Sequence, residues 1–292
     1  MLSIVVIFHD MQREARRTLH SLSPDYQRGV DPAAYEVIAI DNGSAAPLDA
    51  EAVRSHGPQF RYHFHATDAV SPVEAVNLGV EMARGEFVAV IVDGARMATP
   101  GLVAASLKGL LLGRDPAVCA LSWHLGPDVQ NKTMLDGYDQ QAEDELLDSI
   151  GWPEDGYRLF DISTLAQSSG MGFLGGMPNE LSWICLRRDT FDALGGFDER
   201  FRTPGGGLVN HEFRNRLMTR PGITPVLLLG EGVFHQFHGG VATNVPMDRH
   251  PMHDFRAEYG EIVGEPFKPE PTPPVIYFGK MPTAARRFIH RG

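Results

Sequence analysis

Six apolar residues in a row, Phe87–Val92, predict a strand buried on both faces, and the run stops abruptly at Asp93-Gly94-Ala95-Arg96. Earlier apolar runs cover Leu2–Phe8, Tyr35–Ile40 and, more weakly, Phe60–Phe64. Between the runs the spacing turns helical. Met11, Ala15, Leu19 and Leu22 share one face after the first run. Val73, Val76, Val80 and Ala83 share another before Phe87. There Ser71-Pro72-Val73-Glu74 predicts a capping box and Gly85 the helix end. Thr99-Pro100 opens a helix reaching Gly113. This alternation predicts an α/β fold, a mostly parallel central sheet with right-handed crossovers and flanking helices.

From Asp136 the pattern changes. Asp139, Glu143, Asp144, Glu145 and Asp148 surround Leu146, Leu147 and Ile150, which predicts a surface helix with a solvated acidic face. Gln167–Pro178 is glycine-rich and predicts a mobile loop. Leu181–Leu186 reads as a strand, Asp189–Leu194 as a short helix and Gly205–Gly207 as a turn. A helix carrying Glu212, Phe213, Arg216 and Leu217 follows. Val226–Leu229 is the last strand, leading to His235 and His238. Pro266–Pro274 holds five prolines and predicts an extended tether. We divide the chain at 1–125, 126–240 and 241–292.

Composition narrows the function. The chain has 292 residues and a formal charge of −11, which speaks against a nucleic-acid surface and predicts a locally basic pocket for any anionic ligand. Cys119 and Cys185 each lie in an apolar run, the pattern of reduced buried thiols in a cytoplasmic protein. No apolar run reaches the length of a membrane span, and Ile4–Phe8 is too short for a signal peptide. The tail carries Lys280, Arg286, Arg287 and Arg291 without an acid, with Phe278 and Phe288 between them. That combination suits a peripheral anionic membrane or protein contact.

The chemistry gathers at strand ends. In open α/β sheets ligands sit beyond the carboxyl ends of the strands, where Asp93 and Asp41 both stand. Asp-Gly is also a common turn pair, so neither acid decides the matter alone. Asn77 and Gly79 are poor helix formers inside a helix, which points to another job, packing for Gly79 in particular.

Taken in order, five places resemble the family 2 glycosyltransferases of GT-A fold, over roughly residues 1–240. They are Asp41-Asn42-Gly43-Ser44; Asn77-Leu78-Gly79 with Ala83-Arg84-Gly85-Glu86-Phe87; Asp93-Gly94-Ala95; Arg188 through Phe201; and Glu212 through Leu217. The resemblance implies a Rossmann-like GT-A sheet with an acceptor-side extension. It also implies inverting transfer of a sugar from a nucleotide-diphospho-sugar donor to a saccharide, lipid-linked or other acceptor.

It places Asp41 on the nucleobase, Asp93 on the ribose and metal, and Asn42, Asn77, Arg84 and Arg96 on the donor side. His235 or His238 would face the diphosphate or a Mn²⁺ or Mg²⁺ ion. The chain departs from the pattern at Ala95, where the second acid of Asp-x-Asp is missing, and at Asn210, which replaces the base. Glu212 and His211 are then the candidate proton acceptors. Two other readings stay open. One is a donor-binding relative without transfer. The other is a zinc hydrolase built on His235, His238, His250 and His253.

Overall fold

The structure, a computed structural model, describes residues 1–290. Ten strands form one mixed sheet among the described residues. They are β1 (Leu2–Phe8), β2 (Tyr35–Asn42), β3 (Phe60–His65), β4 (Phe87–Ile91), β5 (Arg96–Ala98) and β6 (Asp115–Leu125). β7 (Ser163–Leu165), β8 (Ile184–Arg187), β9 (Ile223–His235) and β10 (Ile276–Gly279) complete it. The main path runs β10-β9-β6-β8-β4-β1-β2-β3, with β5 on β9 and β7 on β6. The helices are α1 (Gln12–Ser21), α2 (Ala50–Arg54), α3 (Val73–Glu81), α4 (Leu102–Gly109) and α5 (Gln130–Thr133), followed by α6 (Gln140–Ile150), α7 (Arg188–Ala193), α8 (Val209–Thr219) and α9 (Met252–Val263).

Alternation along the strands builds a core on each face. Val5, Ile7, Val88 and Val90 face α3, α8 and α9, while Ile4, Val6, Ala89 and Ile91 face α1 and α4. Fully burying each Val or Ile contributes roughly 1.5–3 kcal/mol. β1, β2, β3 and β4 are parallel, and β8 enters antiparallel between β4 and β6. Cys119 and Cys185 lie on opposite faces of the sheet, so they cannot pair and remain free thiols. Strands from all three sequence segments enter this sheet.

Several local expectations are corrected. The capping box does not form: Ser71 donates instead to the Phe201 carbonyl at 2.8 Å, and α3 ends at Glu81. Gly79 is a packing residue, since a Cβ there would lie 2.3 Å from Val5 Cγ1. The last strand of the second segment is far longer than Val226–Leu229. Its pairing with β6 jumps from Cys119↔Leu227 to Leu121↔Gly232, so a bulge at Gly230-Glu231 lets the strand continue to His235.

Glu143 is not solvated. It is fully buried, accepting from Arg13 at 3.3 Å and from Phe237 N at 2.7 Å. The glycine-rich stretch is pinned: Phe173 is buried and its N–H donates to Phe288 O at 2.9 Å. The proline segment is extended but tied to α8, where Arg214 donates to Glu270 O and Asn215 to Lys268 O. β10 then pairs with β9. In the tail, Phe288 packs on Trp123 with ring centroids 5.5 Å apart, and Arg287 donates to Phe160 O and Ser163 O. Phe278 packs against the second core. These aromatic side chains face inward rather than toward an interface. Lys280 and Arg286 are exposed, and Arg291 lies outside the described residues.

Candidate active site

Beyond the end of β4 the chain turns sharply. Gly94 N donates to Ile7 O at 2.7 Å, and a Cβ on Gly94 would meet that same oxygen at 2.5 Å. Only glycine lets the turn close on β1. This holds Asp93 beside β1, with Ala95 N donating to its Oδ1 at 3.1 Å. β5 then carries Arg96 next to His235 of β9, and β6 places His124 on that histidine's other side.

Three ligand-type side chains converge here. His235 Nε2 lies 2.9 Å from Asp93 Oδ2, His238 Nε2 lies 3.6 Å from Asp93 Oδ1, and the two imidazole nitrogens are 3.2 Å apart. Among the described residues they are the group whose ligand atoms all lie within 4.8 Å of one another. Arg96 approaches Asp93 Oδ2 at 3.6 Å and donates to Ser122 Oγ at 2.7 Å.

The surroundings fix how these atoms present themselves. Gln130 Nε2 donates to His235 O at 3.0 Å, so its Oε1 is left facing His235 Nδ1 at 2.9 Å. Asn244 donates to that same Oε1. An acceptor at Nδ1 puts the proton there and turns the Nε2 lone pair toward Asp93. Burial pushes His235 down to about 4. Burial also opposes charge on His238, but the Asp93 carboxylate outweighs it and raises that imidazole. Asp93 is itself driven up by burial, yet His238 and His235 hold it well below its usual range. His124 is pushed to about 3 by burial and by His235.

One carboxylate oxygen and two imidazole nitrogens this close together suit a divalent cation. The imidazoles favour Mn²⁺, Zn²⁺ or Co²⁺ over Mg²⁺. His238 is steadied from both sides. Asn244 Oδ1 accepts from the N–H groups of His238, Gly239 and Gly240 at 3.2, 3.0 and 2.9 Å, and Glu143 holds Phe237 N.

The other expected residues are distributed differently. Asp41 is fully buried, its oxygens accepting from Ser44 N, Leu48 N and the Tyr62 hydroxyl. Asn42 donates to Ala69 O and Ser71 O, and Gly43 leaves no room for a Cβ beside Thr67 O. The Asp-Asn-Gly-Ser run therefore builds a turn, and Asp41 offers no exposed oxygen to a base. His9 and Asp10, half exposed at the end of β1, stand at that edge instead. Arg84 precedes β4 and lies at the opposite end of the sheet, its N–H on Glu36. Ala95 is fully buried in the apolar face.

Asn77 bridges to the neighbouring loop, donating to Phe197 O and accepting from Phe197 N, both at 2.9 Å. It lines two adjoining surface clefts of about 480 and 490 Å³, the second also walled by Glu212 and Arg216. Neither cleft contains Asp93, His235 or His238. Glu212 is held in a two-point ion pair with Arg216, at 2.5 and 2.6 Å, and Arg216 in turn donates to Leu194 O and Gly196 O. Asn210 donates to Leu181 O at 3.1 Å, and His211 packs on Phe267. His253 is exposed and His250 accepts from Met252 N, so the four-histidine set does not assemble.

Gln130, His124 and Asn244 were missed. His124 lies inside the apolar run of β6, and Gln130 and Asn244 lie in loops without a motif, so the sequence carries no signal that sets them apart.

Residues 3–93 match the family described as Glycosyl transferase family 2, a match that ends on Asp93. Among solved structures, Staphylococcus aureus TarS 1–349 is similar at a TM-score of 0.53 and 12% identity, over 80% of this chain and 60% of that one. The same TarS 1–349 in complex with UDP-GlcNAc gives 0.54 and 13%, over 91% and 68%. The longer TarS structure gives 0.55 and 12%, over 91% and 40%. The chain thus spans about 60% of the length of the first of these. No curated protein matches it. The chain has the GT-A fold of the family 2 glycosyltransferases. No helix among the described residues is long and apolar enough to cross a membrane.

Proposed function

We propose that this chain is a glycosyltransferase that moves a sugar, with inversion, from a nucleoside-diphosphate donor to an acceptor hydroxyl. The observation that carries the reading is the convergence of Asp93, His235 and His238 beyond the carboxyl end of β4 in a GT-A fold. Asp93, His235 and His238 would hold a divalent cation, which when bound supplies positive charge against the diphosphate. Arg96 adds a fixed positive charge to the same side, 3.6 Å from Asp93. A basic site in a chain of net charge −11 suits a polyanionic donor. Buried Gln130 and Asn244 keep the ligand atoms aimed before the donor arrives, so little reorganisation is left to binding.

A second reading is a donor-binding relative without transfer. Asn210 and the Arg216-locked Glu212 favour it. A thermal-shift screen of uridine, guanosine and thymidine diphosphates, with and without Mn²⁺, tests both. A nucleoside diphosphate at 100 times its Kd should stabilise the fold by about 2.7 kcal/mol. No shift with any of them would remove the donor reading in either form. A shift without nucleotide release from the matching sugar donors would leave the second.

A further inference from the structure

We infer that Glu180 is the group that takes the proton of the acceptor hydroxyl, an assignment that rests on the transfer reading above. The topology puts it at the right edge. β8 runs antiparallel to β4 with Ile184 opposite Val90, and antiparallel to β6 with Ile184 opposite Cys119. Three residues before Ile184 is Leu181, and three after Val90 is Asp93. The pairing continues at least to Trp183, whose carbonyl accepts from Ala120 N at 3.3 Å. The segment entering β8 therefore arrives at the same end of the sheet as Asp93, between that strand and the one that carries His124.

Its backbone is fastened on both sides of Glu180. Asn179 N donates to Ser168 O at 2.8 Å, and Ser169 Oγ both accepts from Ser122 N and donates to Ser122 O. Ser122 Oγ in turn receives Arg96. On the other side Asn210 Nδ2 grips Leu181 O at 3.1 Å. The residue that stands where the resemblance puts the base thus holds the peptide beside Glu180. His211, its neighbour, packs on Phe267, and burial lowers its imidazole against the opposing charge of Glu180. Glu180 is half-buried and, among the described residues, makes no hydrogen bond or ion pair. Glu212, by contrast, is saturated by Arg216.

The step balances without another reactant. A lone pair of the acceptor oxygen forms the new bond to the anomeric carbon. The bond from that carbon to the diphosphate oxygen breaks, and its electrons leave with the nucleoside diphosphate. The hydroxyl proton passes to the Glu180 carboxylate.

The test follows nucleotide release from a panel of UDP-, GDP- and dTDP-linked sugars, with water as acceptor, alongside donor binding by calorimetry. Glu180→Gln should lower release by about 100-fold or more while leaving donor affinity within about twofold. Glu180→Asp should retain part of the rate. Azide needs no proton removed, so it should restore release in Glu180→Ala, which a merely structural role would not allow. Wild-type release in Glu180→Gln, or a parallel loss of donor affinity, would overturn the assignment. A wild-type chain that binds none of the donors would fail the transfer reading instead.

Discussion

Asp93 and His235 meet at 2.9 Å, Oδ2 to Nε2, while Gln130 occupies the far nitrogen of the same imidazole. A lone pair aimed at a carboxylate is stable only with a cation between or beside them. His238 supplies that charge as a protonated ring, or yields its lone pair to a metal.

Gln130→Leu should therefore weaken Mn²⁺ or Zn²⁺ binding by about 10- to 100-fold, because His235 loses the partner that fixes its tautomer. Titration calorimetry reads this directly. His238→Ala should weaken it further, and tight binding that survives Asp93→Ala would move the metal elsewhere.

Ala95→Asp restores the family's second acid on paper but should not restore a ligand. The side chain is fully buried in the apolar face. An uncompensated charge there should cost about 3–5 kcal/mol, read in urea unfolding. A variant as stable as the parent and tighter for Mn²⁺ would show that the turn rearranges.

Gly79→Ala should destabilise by about 1–3 kcal/mol, since its Cβ would press on Val5 Cγ1 in β1. Adding Val5→Ala should recover part of that loss, a coupling that a double-mutant cycle measures. Additive losses would place the strain elsewhere.

Glu143 gives a pH signature. Burial raises it from 4.5 to about 7, against the Phe237 N–H, Arg13 and Arg17. The folded state then binds this proton more tightly than the unfolded chain, so this group's contribution to stability falls as pH rises from about 4.5 to about 7. Glu143→Gln should remove that slope, seen as a difference between the two chains' unfolding curves across this window. Parallel curves would exclude it.

Glu212→Gln should lower the melting temperature, as Arg216 loses a charged partner worth about 1.5–3 kcal/mol. Nucleotide release by the folded protein should stay within about threefold. A collapse of release at full stability would return Glu212 to the role its position in the sequence suggested.

β1, β2, β4 and β8 were legible because burial on both faces leaves unbroken apolar runs, and the ends of such runs are where an α/β sheet exposes chemistry. The long central β6 and the short β5, β7 and β10 were not read as strands. Asp93 came from that logic, Arg96, His235 and His238 from the resemblance, and the structure brings all four together. Asp41 came from the same logic joined to the resemblance and Arg84 from the resemblance alone; the structure buries Asp41 in its own turn and puts Arg84 at the opposite end of the sheet. Whether a strand-end acid faces the cleft or caps its own turn depends on Ser44, Leu48 and Tyr62, and spacing carries no trace of those bonds. Arg84 sits at the wrong end of its strand, which the order of residues does show. Glu212 was a candidate proton acceptor by sequence, and the structure locks it on its i,i+4 partner Arg216, a pair that spacing shows as possible but not as formed. Glu180 lies in a loop whose importance appears only once β8 is known to run antiparallel into the middle of the sheet.

That β9 supplies His235 also sets the order in which the molecule can assemble. The strand leaves the ribosome after β1 through β8, yet it must pair along nearly the whole of β6, whose residues from Pro116 onward are all buried. Until residue 235 emerges, a nascent chain carries β6 with one edge open and apolar, a surface prone to wrong pairing. Such distant parallel pairing is intrinsically slow. His235 is thus brought to Asp93 by the same pairing that covers β6, and a chain in which β9 has not docked cannot display the ligand set.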